Sequence, residues 1–133
     1  MREFDNETLK LIAAFEDMSK TEVRDCSVTS DVIYFLVNTG KIAVAIGKNG
    51  QTIKAAEHML KRQIRIYEWA EDEKQFIQNL IPQAQKVIIK NGSAQVSLNA
   101  KDRGAVLGKA GSNIKAIREF LERNSTIKEL KIV

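Results

Sequence analysis

Two stretches of this chain are versions of one another, and that repeat limits the possible folds more than any other feature. IGKNGQTIKAAEHMLKR, residues 46–62, aligns without a gap on LGKAGSNIKAIREFLER, residues 107–123, and eight of the seventeen positions are identical. The same offset of 61 residues lays Phe35, Val37 and Asn38 over Val96, Leu98 and Asn99. Solenoid repeats run about 20–45 residues, so a longer period points to a tandem of compact domains. Residues 1–70 and 71–133 are therefore expected to be two domains, both near the small end of the domain range.

Each copy reads in the same order. In the first, Asp5 or Asn6 can cap a helix whose apolar positions Leu9, Ile12, Ala13 and Phe15 fall at helical spacing. VRDCSVTS and DVIYFLVN are rich in β-branched and aromatic residues and read as strands. KIAVAI leads into a glycine loop. QTIKAAEHMLKR continues as a helix with Ile53, Ala56 and Leu60 on one face, and QIRIYEW closes the unit as a strand. The second copy opens with the helix EDEKQFIQNLI, stopped by Pro82. QKVIIK and AQVSLNA flank NGS, a hairpin signal. KDRGAVL leads into the second loop, SNIKAIREFLER turns Ile114, Ile117 and Leu121 inward, and IKELKIV is the last strand. The expected fold is α+β, with helices on one face of a small sheet in each unit.

The net charge of +4 is unevenly spread. Residues 1–40 carry −4, residues 41–66 +5, residues 67–85 −3 and residues 86–133 +6. Positive charge thus collects in the segments that hold the glycine loops, the footprint expected of a binder of phosphate backbones, though a solvated basic face gives the same count. No apolar run approaches the roughly 18 residues of a membrane span, and no signal-peptide pattern opens the chain, so a soluble cytoplasmic protein is expected.

Catalysis finds little support. Cys26 is the single cysteine and His58 the single histidine, which leaves no metal set, and no nucleophile is paired with a base. The loops lack the spacing of a Walker phosphate loop and of a dinucleotide-binding fingerprint. A non-enzyme without cofactor or metal is expected. Tyr34, Tyr67 and Trp69 read as packing residues before base-stacking ones.

The loops themselves are Gly47, Lys48, Asn49, Gly50 and Gly108, Lys109, Ala110, Gly111. Glycine permits a sharp bend and a close backbone approach. The first amides of the following helix lack intrahelical partners and lie at the positive end of its dipole, a setting that attracts phosphate. Lys48 and Lys109 add an ammonium there, with Lys54 and Lys115 one turn further on. One GXXG is a weak signal; two at equivalent positions, each followed by Ile-Lys-Ala, point to a function.

This pattern resembles the type II KH domain, in which a helix, GXXG loop, helix and adjoining strand form a narrow groove for single-stranded nucleic acid. The resemblance covers essentially the whole chain. It implies that the eight loop residues clamp a nucleic-acid backbone, about four nucleotides per domain. It also implies that Ile46, Ile53 and Ile66, with Leu107 and Ile114, line or border an apolar floor under the bases. Lys41, Lys61, Arg62 and Arg65, then Lys101, Arg103 and Arg118, become candidate phosphate neighbours beside Lys54 and Lys115.

Two KH domains with almost no linker resemble the NusA family of transcription elongation and termination factors, in its small archaeal form. That form lacks the polymerase-binding and OB-fold domains of bacterial relatives. The implied function is non-catalytic binding of single-stranded RNA, with nascent transcript as ligand and RNA polymerase as a further partner. Two alternatives are an RNA binder in ribosome maturation or RNA decay, and a protein-interaction module associated with polymerase.

Overall fold

The computed structural model describes residues 4–133, so residues 1–3 of the expected first domain lie outside the described residues. Contacts divide the chain after Trp69 into two units. Both follow the α+β order of a type II KH domain.

In the first unit, α1 (Asn6–Ser19) starts at Asp5, whose carboxylate accepts the Thr8 amide at 2.7 Å. It ends at Lys20, in the left-handed region, whose amide returns to the Glu16 carbonyl. Phe15 is its fully buried large side chain, and Leu11, Ile12 and Met18 pack partly beside the core. Leu9 and Ala13, expected on that face, are exposed. The stripe that packs runs Thr8, Leu11, Ile12, Phe15, Ser19, a cleaner helical period than the one through Leu9.

Strand β1 (Val23–Val28) pairs antiparallel with β2 (Val32–Val37), which pairs parallel with β3 (Gln63–Glu68). The order β1-β2-β3 puts β3 at an edge. β2 is buried from Ile33 through Val37 on both faces, as its unbroken apolar run requires. Ile33, Phe35 and Val37 join Phe15, Cys26, Ala45, Ala56 and Ile64 in the core, with the Phe15 and Phe35 rings stacked 4.3 Å apart. Two helices cross over between β2 and β3: α2 (Ile42–Ile46) and α3 (Gln51–Leu60), joined by the glycine loop as one turn of 3₁₀ helix.

The second unit repeats this with α4 (Glu73–Leu80), β4 (Lys86–Lys90), β5 (Ser93–Ser97), α5 (Arg103–Leu107), α6 (Ser112–Asn124) and β6 (Glu129–Ile132). Asp72 caps α4 through the Gln75 amide, and the helix ends at Leu80, two residues before Pro82. Asn91 and Gly92 both have positive φ, 51° and 76°, the two-residue hairpin turn whose twist suits the strands it joins. The sheet order is β4-β5-β6, again with the last strand at an edge and parallel to its neighbour.

Candidate nucleic-acid interface

The two loops are nearly the same object. Gly47, Asn49 and Gly50 have φ of 82°, 55° and 73°; Gly108, Ala110 and Gly111 have 76°, 54° and 75°. The glycines meet different demands. A Cβ placed on Gly47 would lie 2.8 Å from the Thr52 amide nitrogen, and one on Gly108 would lie 2.9 Å from that of Asn113, so the first glycine admits the next helix. A Cβ on Gly50 would meet nothing closer than 3.7 Å, and one on Gly111 nothing within 4 Å, so the second glycine answers only to its backbone angle.

Hydrogen bonds close the turn from within. The Gly47 amide donates to Ala43 and the Gly50 amide to Gly47; in the second copy Gly108 donates to Gly104 and Gly111 to Gly108. The residue that follows Gly108 by five positions adds a latch: the buried Asn113 side chain donates to the Val106 carbonyl at 2.8 Å, tying the start of α6 to α5. Thr52 holds the equivalent place in the first copy.

At the tips, Lys48, Asn49, Lys109 and Ala110 are exposed, as are Lys54 and Lys115 on the helices beyond. The Lys54 side chain lies along Gly50, its Cε 3.7 Å from where a Cβ would be. Among the described residues none of these four lysines meets a carboxylate. Their charge is therefore available to an anion from outside. Arg62 differs from the expectation that it neighbours phosphate: it pairs with Glu7 at 2.9 Å and fastens the end of α3 to α1.

The free edges of β3 and β6 form the facing wall. The amides of Gln63 and Trp69 donate inward, to Asp31 and Val37, as do those of Glu129 and Val133, to Gly92 and Val96. Backbone groups alternate sides along a strand, so Ile64 and Ile66, and Leu130 and Ile132, present theirs to the open edge. Thr39 donates to the Trp69 carbonyl, and the Gly40 amide to Glu68, which holds the end of β3 to the corner entering α2.

Of the expected floor residues, Ile46, Ile53, Ile66 and Leu107 are half-buried. Ile114 is only 4% exposed and belongs to the second unit's core. Tyr34 is buried, and the Trp69 ring is covered by the Arg24 guanidinium at 3.7 Å from its centroid, so both serve packing. Cys26 is buried, and no group of three His, Cys, Asp or Glu among the described residues is placed to hold a metal. No helix is long and apolar enough to cross a membrane.

One groove position escaped the sequence reading. Ile66 pairs in register with Phe35, and Ile132 with Val96, so Ile132 is the second copy's counterpart of Ile66. The offset of 61 hides this, because α6 is three residues longer than α3 and the link to the last strand has four residues where the first copy has two. Val44 was missed as well; it is 53% exposed on the helix entering the first loop.

Comparison with known proteins agrees with this architecture. Residues 10–71 match the KH domain family. A probable transcription termination protein NusA of Halococcus morrhuae is 31% identical, over 93% of this chain and 93% of its own. The corresponding protein of Methanococcus vannielii is 31% identical over 96% of this chain and 77% of its own, and that of Methanocaldococcus jannaschii 29% identical over 96% and 73%. The crystal structure of APE1850 matches with a TM-score of 0.74 at 27% identity, covering 98% of this chain and all of that one.

Proposed function

We propose that this chain, which belongs to the NusA family of KH-domain proteins, binds single-stranded RNA without turning it over and acts on nascent transcripts during elongation or termination. Each half, residues 1–70 and 71–133, serves as one RNA-binding domain. The observation that carries the reading is the pair of matched loops, each with a lysine at its tip that meets no carboxylate among the described residues. The turn brings the sugar–phosphate backbone against the amides at the start of α3 or α6. Lys48 or Lys109, then Lys54 or Lys115, neutralise it, and Ile46, Ile53, Ile66 and Leu107, joined by Ile132, border the bases, while Ile114 supports that floor from the core. The termination role follows from the names of the relatives, and RNA polymerase is the protein partner that role requires.

The test replaces Lys48, Asn49, Lys109 and Ala110 together by Asp. Asn49 and Ala110 have positive φ, which Asp tolerates, so the loop should still form. Binding to short single-stranded RNA should fall at least about a hundredfold as four negative charges enter the phosphate path, with melting near wild type. RNA binding that survived the quadruple change would refute the loop clamp.

A further inference from the structure

The two grooves differ at one equivalent position, and the difference is a reversal of charge. Counting from the loops, Glu57 and Arg118 occupy the same place on α3 and α6. Both reach the same step of the open strand edge, because Ile64 pairs with Ile33 and Leu130 with Ala94, which are themselves equivalent. The Glu57 carboxylate accepts the Ile64 amide at 2.9 Å. The Arg118 guanidinium donates to the Leu130 carbonyl at 3.2 Å. One helical turn further the signs exchange again, with exposed Lys61 in the first copy and exposed Glu122 in the second.

The consequence lies in how far a phosphate path runs from each loop. In the second unit it passes Lys109, Lys115 and Arg118 without a carboxylate between them in the sequence. Beyond Arg118 it reaches an open recess of about 200 Å³ that Lys128 lines together with Glu122 and Glu129, so the carboxylates begin only past Arg118. Its single bond to Leu130 leaves most of the guanidinium's five donors for an outside oxygen. In the first unit the path meets Glu57 one turn past Lys54, and that carboxylate also occupies the edge amide of Ile64.

Resting on the RNA-binding reading above, we infer that the two grooves are unequal: Arg118 is an additional phosphate-binding residue of the second groove, and Glu57 opposes phosphate at the same place in the first. The second domain therefore carries the larger share of RNA affinity and of its salt dependence.

The experiment uses the full chain, with a random-sequence RNA pool of about twelve nucleotides that covers two sites of about four each. R118Q should weaken binding roughly two- to fivefold, as expected for one exposed charge. It should also make the log–log salt slope shallower by about 0.7, the loss of one phosphate contact on a single strand. R118K, which keeps the charge, should keep the wild-type slope. E57Q, which retains an acceptor for Ile64, should tighten binding. Of the paired loop variants, K109D/A110D should weaken binding more than K48D/N49D.

Unchanged affinity and slope in R118Q, or an E57Q variant weakened as much as R118Q, would overturn the inference. If both loop variants lose RNA while R118Q and E57Q match wild type, the inference alone fails. If the loop variants bind as wild type does, the RNA-groove reading fails with it.

Discussion

Alanine substitution at the two glycines of one loop should give unequal losses, because the loop needs them for different reasons. Gly47 has φ 82° and ψ 164°, a region reserved almost wholly to glycine, where another residue is strained by about 1–3 kcal/mol. The added Cβ would also lie 2.8 Å from the Thr52 amide nitrogen, a backbone atom that cannot swing aside. Overpacking of that kind costs about 1–3 kcal/mol. After the gain of about 0.4–1 kcal/mol from a stiffer unfolded chain, Gly47→Ala should lose about 1–5.5 kcal/mol, centred near 3. Gly50 has φ 73° and ψ 17°, with ordinary contact distance around its missing Cβ. Only the left-handed penalty of about 1–2 kcal/mol applies there. With the same unfolded-state offset, Gly50→Ala should lose about 0–1.5 kcal/mol, centred near 1. Urea unfolding followed by circular dichroism, fitted for the unit concerned, reads both values. Gly108→Ala and Gly111→Ala repeat the comparison independently in the second unit. A Gly50→Ala loss equal to that of Gly47→Ala, or a reversed ranking in the second unit, would refute the division of labour between the glycines.

Ala110 occupies the left-handed region at φ 54° with no side-chain hydrogen bond to offset it. Ala110→Gly should therefore raise the second unit's stability by about 0.5–1 kcal/mol, the left-handed penalty less glycine's larger unfolded-state entropy; the urea midpoint checks it. Asn49→Gly, by contrast, should be near neutral or destabilising, since asparagine accepts that conformation readily. Asn113→Ala removes the latch to the Val106 carbonyl in a buried setting and should lose about 1–3 kcal/mol, the penalty of an orphaned acceptor. Hydrogen exchange should show the loss as faster opening at the start of α6, and exchange there at the wild-type rate would show the latch to be idle.

Much of the fold was legible because its signals are local. The Asp5 cap, the Asn-Gly hairpin and the apolar run of β2 each act within a few residues, and each appears where the chain predicts it; Asp72, read as part of the second opening helix, proves to be its cap. The misreadings needed long-range information. Leu9 fits a helical period as well as Leu11 does, and only packing against the sheet selects the face. Arg62 looks like any other cation of the basic segment until Glu7, 55 residues earlier, is brought to it. Ile132 was hidden by an alignment of constant offset, which fails where α6 and its link lengthen, and only the strand register recovers the equivalence. The charge reversal at Glu57 and Arg118 is plain in the aligned text. Its meaning is not, because nothing local says that both side chains arrive at the free edge of a strand.

The preserved and the altered parts of the repeat therefore divide along a physical line. Both loops hold the same backbone to within about 11° although Asn stands in one and Ala in the other. The second copy keeps that shape against the left-handed penalty of alanine, so the position of the backbone is what the repeat maintains there. In the proposed role such a loop would hold the sugar–phosphate chain, which every RNA shares, and contribute position without sequence information. In that role sequence selectivity would fall to the facing wall, where strand-edge groups are open. That wall is where the copies diverge, with Glu57 closing an amide in one and Arg118 closing a carbonyl in the other. There the inferred difference falls on phosphate binding, which Arg118 extends in the second groove and Glu57 opposes in the first.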